Sequence, residues 1–218
     1  MRALRSPRMF LVYAGLTMGA LALRRGLPDG IPPALMMPGG RVVWVGPAMV
    51  AFLLPITIAI VDTLVRSLCV RHPVDDANST NLVATCDAIM LRIAAFLTAV
   101  HATVLAALFG WLSGRAWAGR IVPLMLGFTM IAVGNLLPKT RRNLAVGIRT
   151  SATLADRTLW IRTHRSAGYL IVALGAVIVL SAIVVPAPFG PGMILLAGPA
   201  ALAGICFIVR QTRRRVHA

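Results

Sequence analysis

The sequence predicts an all-α, polytopic integral membrane bundle of about six transmembrane helices with both termini in the cytoplasm. Three observations carry that expectation. Of the 218 residues, 58% are hydrophobic and 13% charged, and the mean hydropathy is +0.84, more apolar surface than a soluble core absorbs. The apolar residues gather into six segments near the ~20 residues needed to cross the hydrocarbon layer. The basic residues are shared unevenly among the segments between them. A net charge of +16 would suggest nucleic acid in a soluble protein. Here it fits cytoplasmic loops facing anionic lipid headgroups. The arginines flank spans and form no recognised nucleic-acid-binding motif, so direct nucleic-acid contact is not expected.

The first apolar segment, 9–23, follows Arg2, Arg5 and Arg8. A secretory signal ending at Ala20-Leu21-Ala22 is disfavoured by Arg24 and Arg25 directly after it. Gly15 and Gly19 have the small-xxx-small spacing that lets helices approach closely. The second segment, 42–61, holds Pro47 and Pro55, and the third, 93–112, holds His101 at mid-depth. The fourth is 121–137 with Pro123, the fifth 167–185 and the sixth 189–209 with Pro199. A proline inside a span lacks a backbone donor and can bend the helix. With the N-terminus inside, 16 basic residues fall in cytoplasmic segments and 5 outside, these being Arg24, Arg25, Arg41, Arg115 and Arg120. Arg92, at the inner edge of the third span, can snorkel to the headgroups. This bias favours an even number of spans. Cys69, Cys86 and Cys206 are scattered, with neither a disulfide framework nor metal-ligand spacing, and read as small buried hydrophobes. No metal or cofactor is expected.

Between the fourth and fifth spans lies a polar island, Gly134 to Gly168, reading GNLLPKTRRNLAVGIRTSATLADRTLWIRTHRSAG. It holds Lys139, Arg141, Arg142, Arg149, Arg157, Arg162 and Arg165, seven of the 22 basic residues. Gly134 and Asn135 come while the fourth span is still apolar, and Pro138 disfavours helical geometry at the residue before it. Asn143 to Arg149 reads as a Gly-containing loop. Thr153 and Asp156 resemble a capping box with Asp in place of Glu, opening a helix from Leu154 through Trp160 and His164 into the fifth span. Trp160 suits the headgroup layer, its ring buried and its N–H wet.

GNLLPK, then N-x-x-x-GIRT with TL three residues on, then LW-x-x-THR-x-x-G, strongly resemble the signature of the SdpI-type immunity proteins, which are bacterial integral membrane proteins. The residues carrying the match are Gly134, Asn135, Pro138, Lys139, Asn143, Gly147, Arg149, Thr150, Trp160, Thr163, His164, Arg165 and Gly168. A second resemblance lies at Leu27, Pro28, Ile31 and Pro32, followed by Leu53 to Pro55, and is similar to the N-terminal membrane module often found in that family. The resemblance implies one membrane domain over 1–218, with an N-terminal module at 1–65, a signature region at 86–210 and a basic cytoplasmic loop at 138–166. The chain departs from the family at Pro33-Ala34, where a His is usual. It departs again at Ser151-Ala152, where Pro-Trp usually follows GIRT, and at Arg141-Arg142, in place of a Lys-Pro-like segment.

What the resemblance implies is a multi-pass protein of the bacterial inner membrane that gives immunity to a membrane-active peptide toxin and signals by sequestering a cytoplasmic transcriptional repressor. Arg149, Arg162 and Arg165 suit partner carboxylates or lipid phosphates through charge-assisted hydrogen bonds. The topological alternative is that the basic residues only hold the loop inside. Asn135 is read either as a turn or interhelix hydrogen-bonder or as a ligand contact. His101 is a functional group in the span or a neutral ring bonded to a neighbouring helix. Asp62 and Arg92 either pair across the hairpin or simply lie near loops. No nucleophile–base pair, H-E-x-x-H or phosphate-cradling loop is present, so an enzyme is not expected. The alternatives from other classes are a small transporter or channel-like protein, for which the spans offer few polar residues, and a structural membrane subunit.

Overall fold

The structure, a computed structural model, describes residues 7–26, 35–36, 42–43, 47–71, 79–112, 115–185 and 190–216. It is helical: α1 Pro7–Arg24, α2 Pro47–Arg71, α3 Ser79–Leu108, α4 Arg115–Gly134, α5 Ser151–Ala155, α6 Arg157–Val184 and α7 Gly190–Val216. A 3-10 turn, Leu137–Lys139, follows α4. A two-residue antiparallel pair joins β1 Leu35–Met36 to β2 Val42–Val43, with Leu35 opposite Val43. Leu27, Pro28, Ile31, Pro32, Pro33 and Ala34 of the proline-rich resemblance lie outside the described residues.

Among the described residues four helical stretches are long and apolar enough to cross a membrane: Ala48–Cys69, Leu82–Leu108, Arg120–Lys139 and Arg157–Val184. They carry large apolar side chains that face outward, such as Ile60, Leu64, Phe128, Leu180 and Val184, the last 78% exposed. Water would not tolerate apolar surface on this scale, and lipid does. The chain is a multi-pass membrane protein. Helices α1 and α7 coincide with the first and sixth apolar segments.

Several helices outrun the apolar segments that announce them. Helix α3 begins at Ser79 and not at 93, so Arg92 lies within it and its Nη1 donates to Ala88 O at 2.7 Å. Helix α6 begins at Arg157, ahead of the apolar segment at 167 and close to the start at Leu154 that the sequence suggests. Apolarity marks the lipid-buried stretch, whereas the backbone ladder continues wherever residues tolerate it. Val42 and Val43, expected to open the second span, pair with β1 instead, and α2 starts at Pro47, a residue favoured at a first helical position.

The chain divides into two compact units, residues 1–61 with 94–118 and residues 62–93 with 119–218. In the first, Val12, Ile58 and Ala94 form a buried cluster with Leu11, Leu16, Ala59 and Leu97 around it. Gly15 lies against Pro55, and a Cβ at Gly19 would collide with the carbonyl oxygen of Ala51. Pro55 has no N–H to give that carbonyl, so the helix leaves an oxygen free where α1 comes closest. His101 is buried beside the Gly15 backbone, with no hydrogen bond of normal geometry among the described residues.

In the second unit α4 and α6 meet through glycines. A Cβ at Gly127 would lie 2.7 Å from Gly175 O, and one at Gly134 would lie 3.0 Å from Gly168 O. Each pair is one heptad from the next, so both helices present a repeated small face, and only hydrogen fits between the backbones. Helix α7 packs on α6, with Gly204 opposite Leu170. Cys69, Leu82 and Cys86 form a separate buried cluster, while Cys206 is exposed.

Candidate functional site

The island folds into a loop closed by side chains. Asn143 is fully buried, and its Oδ1 accepts from Ala145 N and Val146 N at 2.8 and 2.7 Å. Its Nδ2 donates back to Arg141 O at 2.6 Å and Val146 O at 3.1 Å. One short amide thus replaces the backbone partners that a tight turn cannot supply, the local bonding for which Asn is favoured in loops. The turn presses Ala145 and Val146 onto the Cys69–Leu82–Cys86 cluster at the ends of α2 and α3. Gly147 follows with φ +117°, a conformation that L side chains rarely adopt. A Cβ there would also strike His164 Nε2.

His164 and Trp160 hold the loop from α6. The two rings stack with centroids 3.9 Å apart and planes 19° apart, and both are buried. His164 Nε2 accepts from Ile148 N at 2.9 Å, and Nδ1 donates to Trp160 O at 2.8 Å. Both bonds are made together only by the neutral Nδ1–H tautomer. Trp160 Nε1 donates to Thr140 O at 3.0 Å, so its N–H is not wet as the sequence suggests. The loop carbonyl takes it, and the indole is a strut inside the protein.

The helix start also differs from the sequence expectation. Thr150, not Thr153, is the N-cap of α5, and the capping box is reciprocal between Thr150 and Thr153. Thr153 Oγ1 also donates to Ile148 O at 2.8 Å, which uses its hydroxyl inside the loop. Asp156 then breaks the helix with extended backbone (φ −117°, ψ 120°) and caps α6, accepting from Thr158 N at 2.6 Å and Leu159 N at 3.2 Å. An aspartate oxygen at this position meets two orphan amides, which stabilises a second helix start more than it favours one continuous helix.

The sequence-selected residues therefore fall into two groups. Gly134, Asn143, Trp160, Thr163, His164 and Gly168 are buried, and Thr150 and Pro138 are half-buried. These build the scaffold, with Pro138 Cδ 3.0 Å from where a Cβ on Gly168 would lie. Asn135, Lys139, Gly147, Arg149 and Arg165 are exposed. Arg149 nevertheless turns inward at one nitrogen, donating to Leu144 O. Arg142, absent from the sequence selection, donates to Leu154 O and Ala155 O at 3.2 Å each, a cation on the last carbonyls of α5. Sequence reasoning also missed Thr140 and the glycines Gly127 and Gly175. The seven-residue spacing of glycines in both spans was the signal available for the latter.

Beside this scaffold lies an open groove of about 510 Å³, lined among others by Thr85, Ala88, Leu136, Lys139, Arg141 and Ile161. Its lining combines apolar side chains with two cations, Lys139 and Arg141. Among the described residues no three His, Cys, Asp or Glu side chains gather as a metal site. The groove is suited to an acidic segment carrying an apolar anchor.

Residues 139–210 match the model of the SdpI/YfhL protein family. The match opens in the 3-10 turn and ends in α7, enclosing the loop and both of its supporting struts. Neither a curated protein nor a solved structure matches the chain.

Proposed function

We propose, from the premise that this is an SdpI-type membrane protein, that it is a non-enzymatic immunity and signalling protein of the bacterial cytoplasmic membrane. In this reading six helices cross the bilayer, both termini and the loop lie in the cytoplasm, and the protein protects its cell against a membrane-active peptide toxin. The groove beside the loop takes an acidic segment of a cytoplasmic partner, of which a transcriptional repressor is the leading case. The observation that carries this reading is the fixed shape of the loop. A segment that only orients a membrane protein needs positive charge. It has no use for a stacked Trp160–His164 pair, a four-bonded Asn143 and a left-handed Gly147. Such an arrangement is expected where groups must be held in place for a partner.

The test exposes cells with and without the protein to candidate membrane-active peptides while a potential-sensitive dye is read. Cells carrying the protein hold their membrane potential against the cognate peptide. Equal depolarisation with and without it, across every peptide, contradicts immunity. A photo-crosslinking residue in place of Lys139 reads the second part: capture of one acidic regulator supports the groove as its dock, and capture of lipid alone counts against it.

A further inference from the structure

On the other side of the second unit, α6 and α7 enclose a polar cavity, and we propose that it is a specific site for the phosphate of an anionic phospholipid headgroup. The cavity has a volume of about 420 Å³ and is lined by Arg162, Arg165, Ser166, Ile208, Gln211 and Thr212. Its depth is set by the helix register. Leu170 meets Gly204, with Leu170 Cδ2 2.5 Å from where a Cβ on Gly204 would lie. One turn towards the loop, Ser166 stands opposite Ile208, and one turn further Arg162 stands opposite Thr212. Residues four apart share a helix face, so these three levels form one seam, closed at Leu170 and open about 12 Å away at Arg162.

The open end is cationic and uncompensated. Neither Arg162 nor Arg165 has a hydrogen-bond or ion-pair partner among the described residues. Asp156, the acid nearest in sequence, is engaged on the amides that start α6. Thr212 gives its hydroxyl hydrogen to Ile208 O at 2.7 Å, which leaves the Ser166 hydroxyl and the Gln211 amide as neutral donors beside two guanidinium groups. Planar guanidinium forks match phosphate oxygens in pairs.

A lipid is the source favoured over a soluble phosphate because of what lies next to the cavity. Tyr169, one turn further along α6 from Arg165, is 70% exposed, and Phe207, beside Ile208, is 61% exposed. Both lie on the helices that line the pocket, and α6 is long and apolar enough to cross a membrane, so acyl chains would cover such exposed side chains. Basic pockets between spans at the membrane surface are a recognised form of headgroup binding. The inference rests on α6 crossing the bilayer and on neither a toxin nor a repressor.

The full-length protein in neutral detergent, titrated with phosphatidylglycerol or phosphatidylcholine and read by native mass spectrometry, tests this. One phosphatidylglycerol should be retained in preference to phosphatidylcholine. Arg162→Ala with Arg165→Ala should weaken that binding roughly thirtyfold, from about a tenfold or smaller effect per arginine. Ser166→Ala, which leaves both charges in place, should weaken it a few-fold, and Arg120→Ala, an exposed arginine at the other end of the spans, should leave it unchanged. Thermal unfolding of each variant separates lost binding from lost fold, and a double variant that misfolds leaves Ser166→Ala to decide. Equal retention of the two lipids, unchanged binding in the arginine variant, or displacement of phosphatidylglycerol by millimolar inorganic phosphate would overturn the proposal. The dye experiment above is independent: protection that survives loss of this lipid, or lipid binding without protection, tells the two readings apart.

Discussion

His164 makes two hydrogen bonds in opposite directions, and each fixes a different part of the molecule. Nδ1 ties the ring to its own helix at Trp160 O, and Nε2 receives the amide of Ile148 from the loop. His164→Ala leaves the Ile148 N–H without its partner and opens a cavity against Trp160. A buried donor left unsatisfied costs roughly 1–3 kcal/mol, so thermal unfolding should occur at lower temperature, with function lost alongside it. Arg141→Ala removes a cation from the groove and keeps the backbone carbonyl that Asn143 uses, so protection or signalling should fall while the unfolding temperature stays near wild type. If Arg141→Ala behaves as wild type in cells at equal protein level, the groove is not a dock. Arg149→Ala falls between, because Arg149 is exposed yet holds Leu144 O. The types and spacing of these residues were legible in the sequence. Their division into inward and outward groups was not, because Trp, His and Asn bury or expose according to partners that are distant in the chain.

Helices were readable from apolarity wherever lipid enforces it, and least readable where capping decides. The sequence suggests one continuous helix start across Asp156, whereas a side chain that satisfies two amides makes its own helix terminus. The lengthening of α3 beyond its apolar stretch was invisible because charged residues near a membrane surface do not interrupt the backbone ladder, whereas the extension of α6 was legible in the capping residues before Trp160. Close packing was visible in part: Gly15 and Gly19 stand against α2 as their spacing suggests, whereas the Gly127–Gly175 and Gly134–Gly168 contacts require knowing that α4 and α6 are neighbours. Gly168→Leu should push α6 from α4, since even a Cβ would lie 2.8 Å from Gly134 O and 3.0 Å from Pro138 Cδ. Overpacking of this kind costs about 1–3 kcal/mol or more. The expected readout is a lower unfolding temperature in detergent together with a disordered loop, since Pro138 leads directly into it. An unchanged unfolding temperature would mean that the two helices are not in register as described.

At the scale of the whole molecule, the proposed six-span reading takes its orientation from the uneven distribution of basic residues, which predicts both termini in the cytoplasm. Reporter fusions at Ala218 and near Asp76 should read cytoplasmic, and fusions near Met37 and Gly119 external; a periplasmic signal at Ala218 would remove the six-span reading. That orientation puts the loop, the groove and the open end of the α6–α7 cavity on one face of the membrane. The claim on which the rest depends is that Asn143, Gly147, Trp160 and His164 build a loop of fixed shape and do not merely accompany its charge. Amide hydrogen exchange across residues 140–150 of the full-length protein tests this most directly. The account predicts slow exchange at Ala145, Val146 and Ile148, with the first two lost in Asn143→Ala and Ile148 lost in His164→Ala. Exchange of all three in the unsubstituted protein at the rate of an unstructured chain would contradict it.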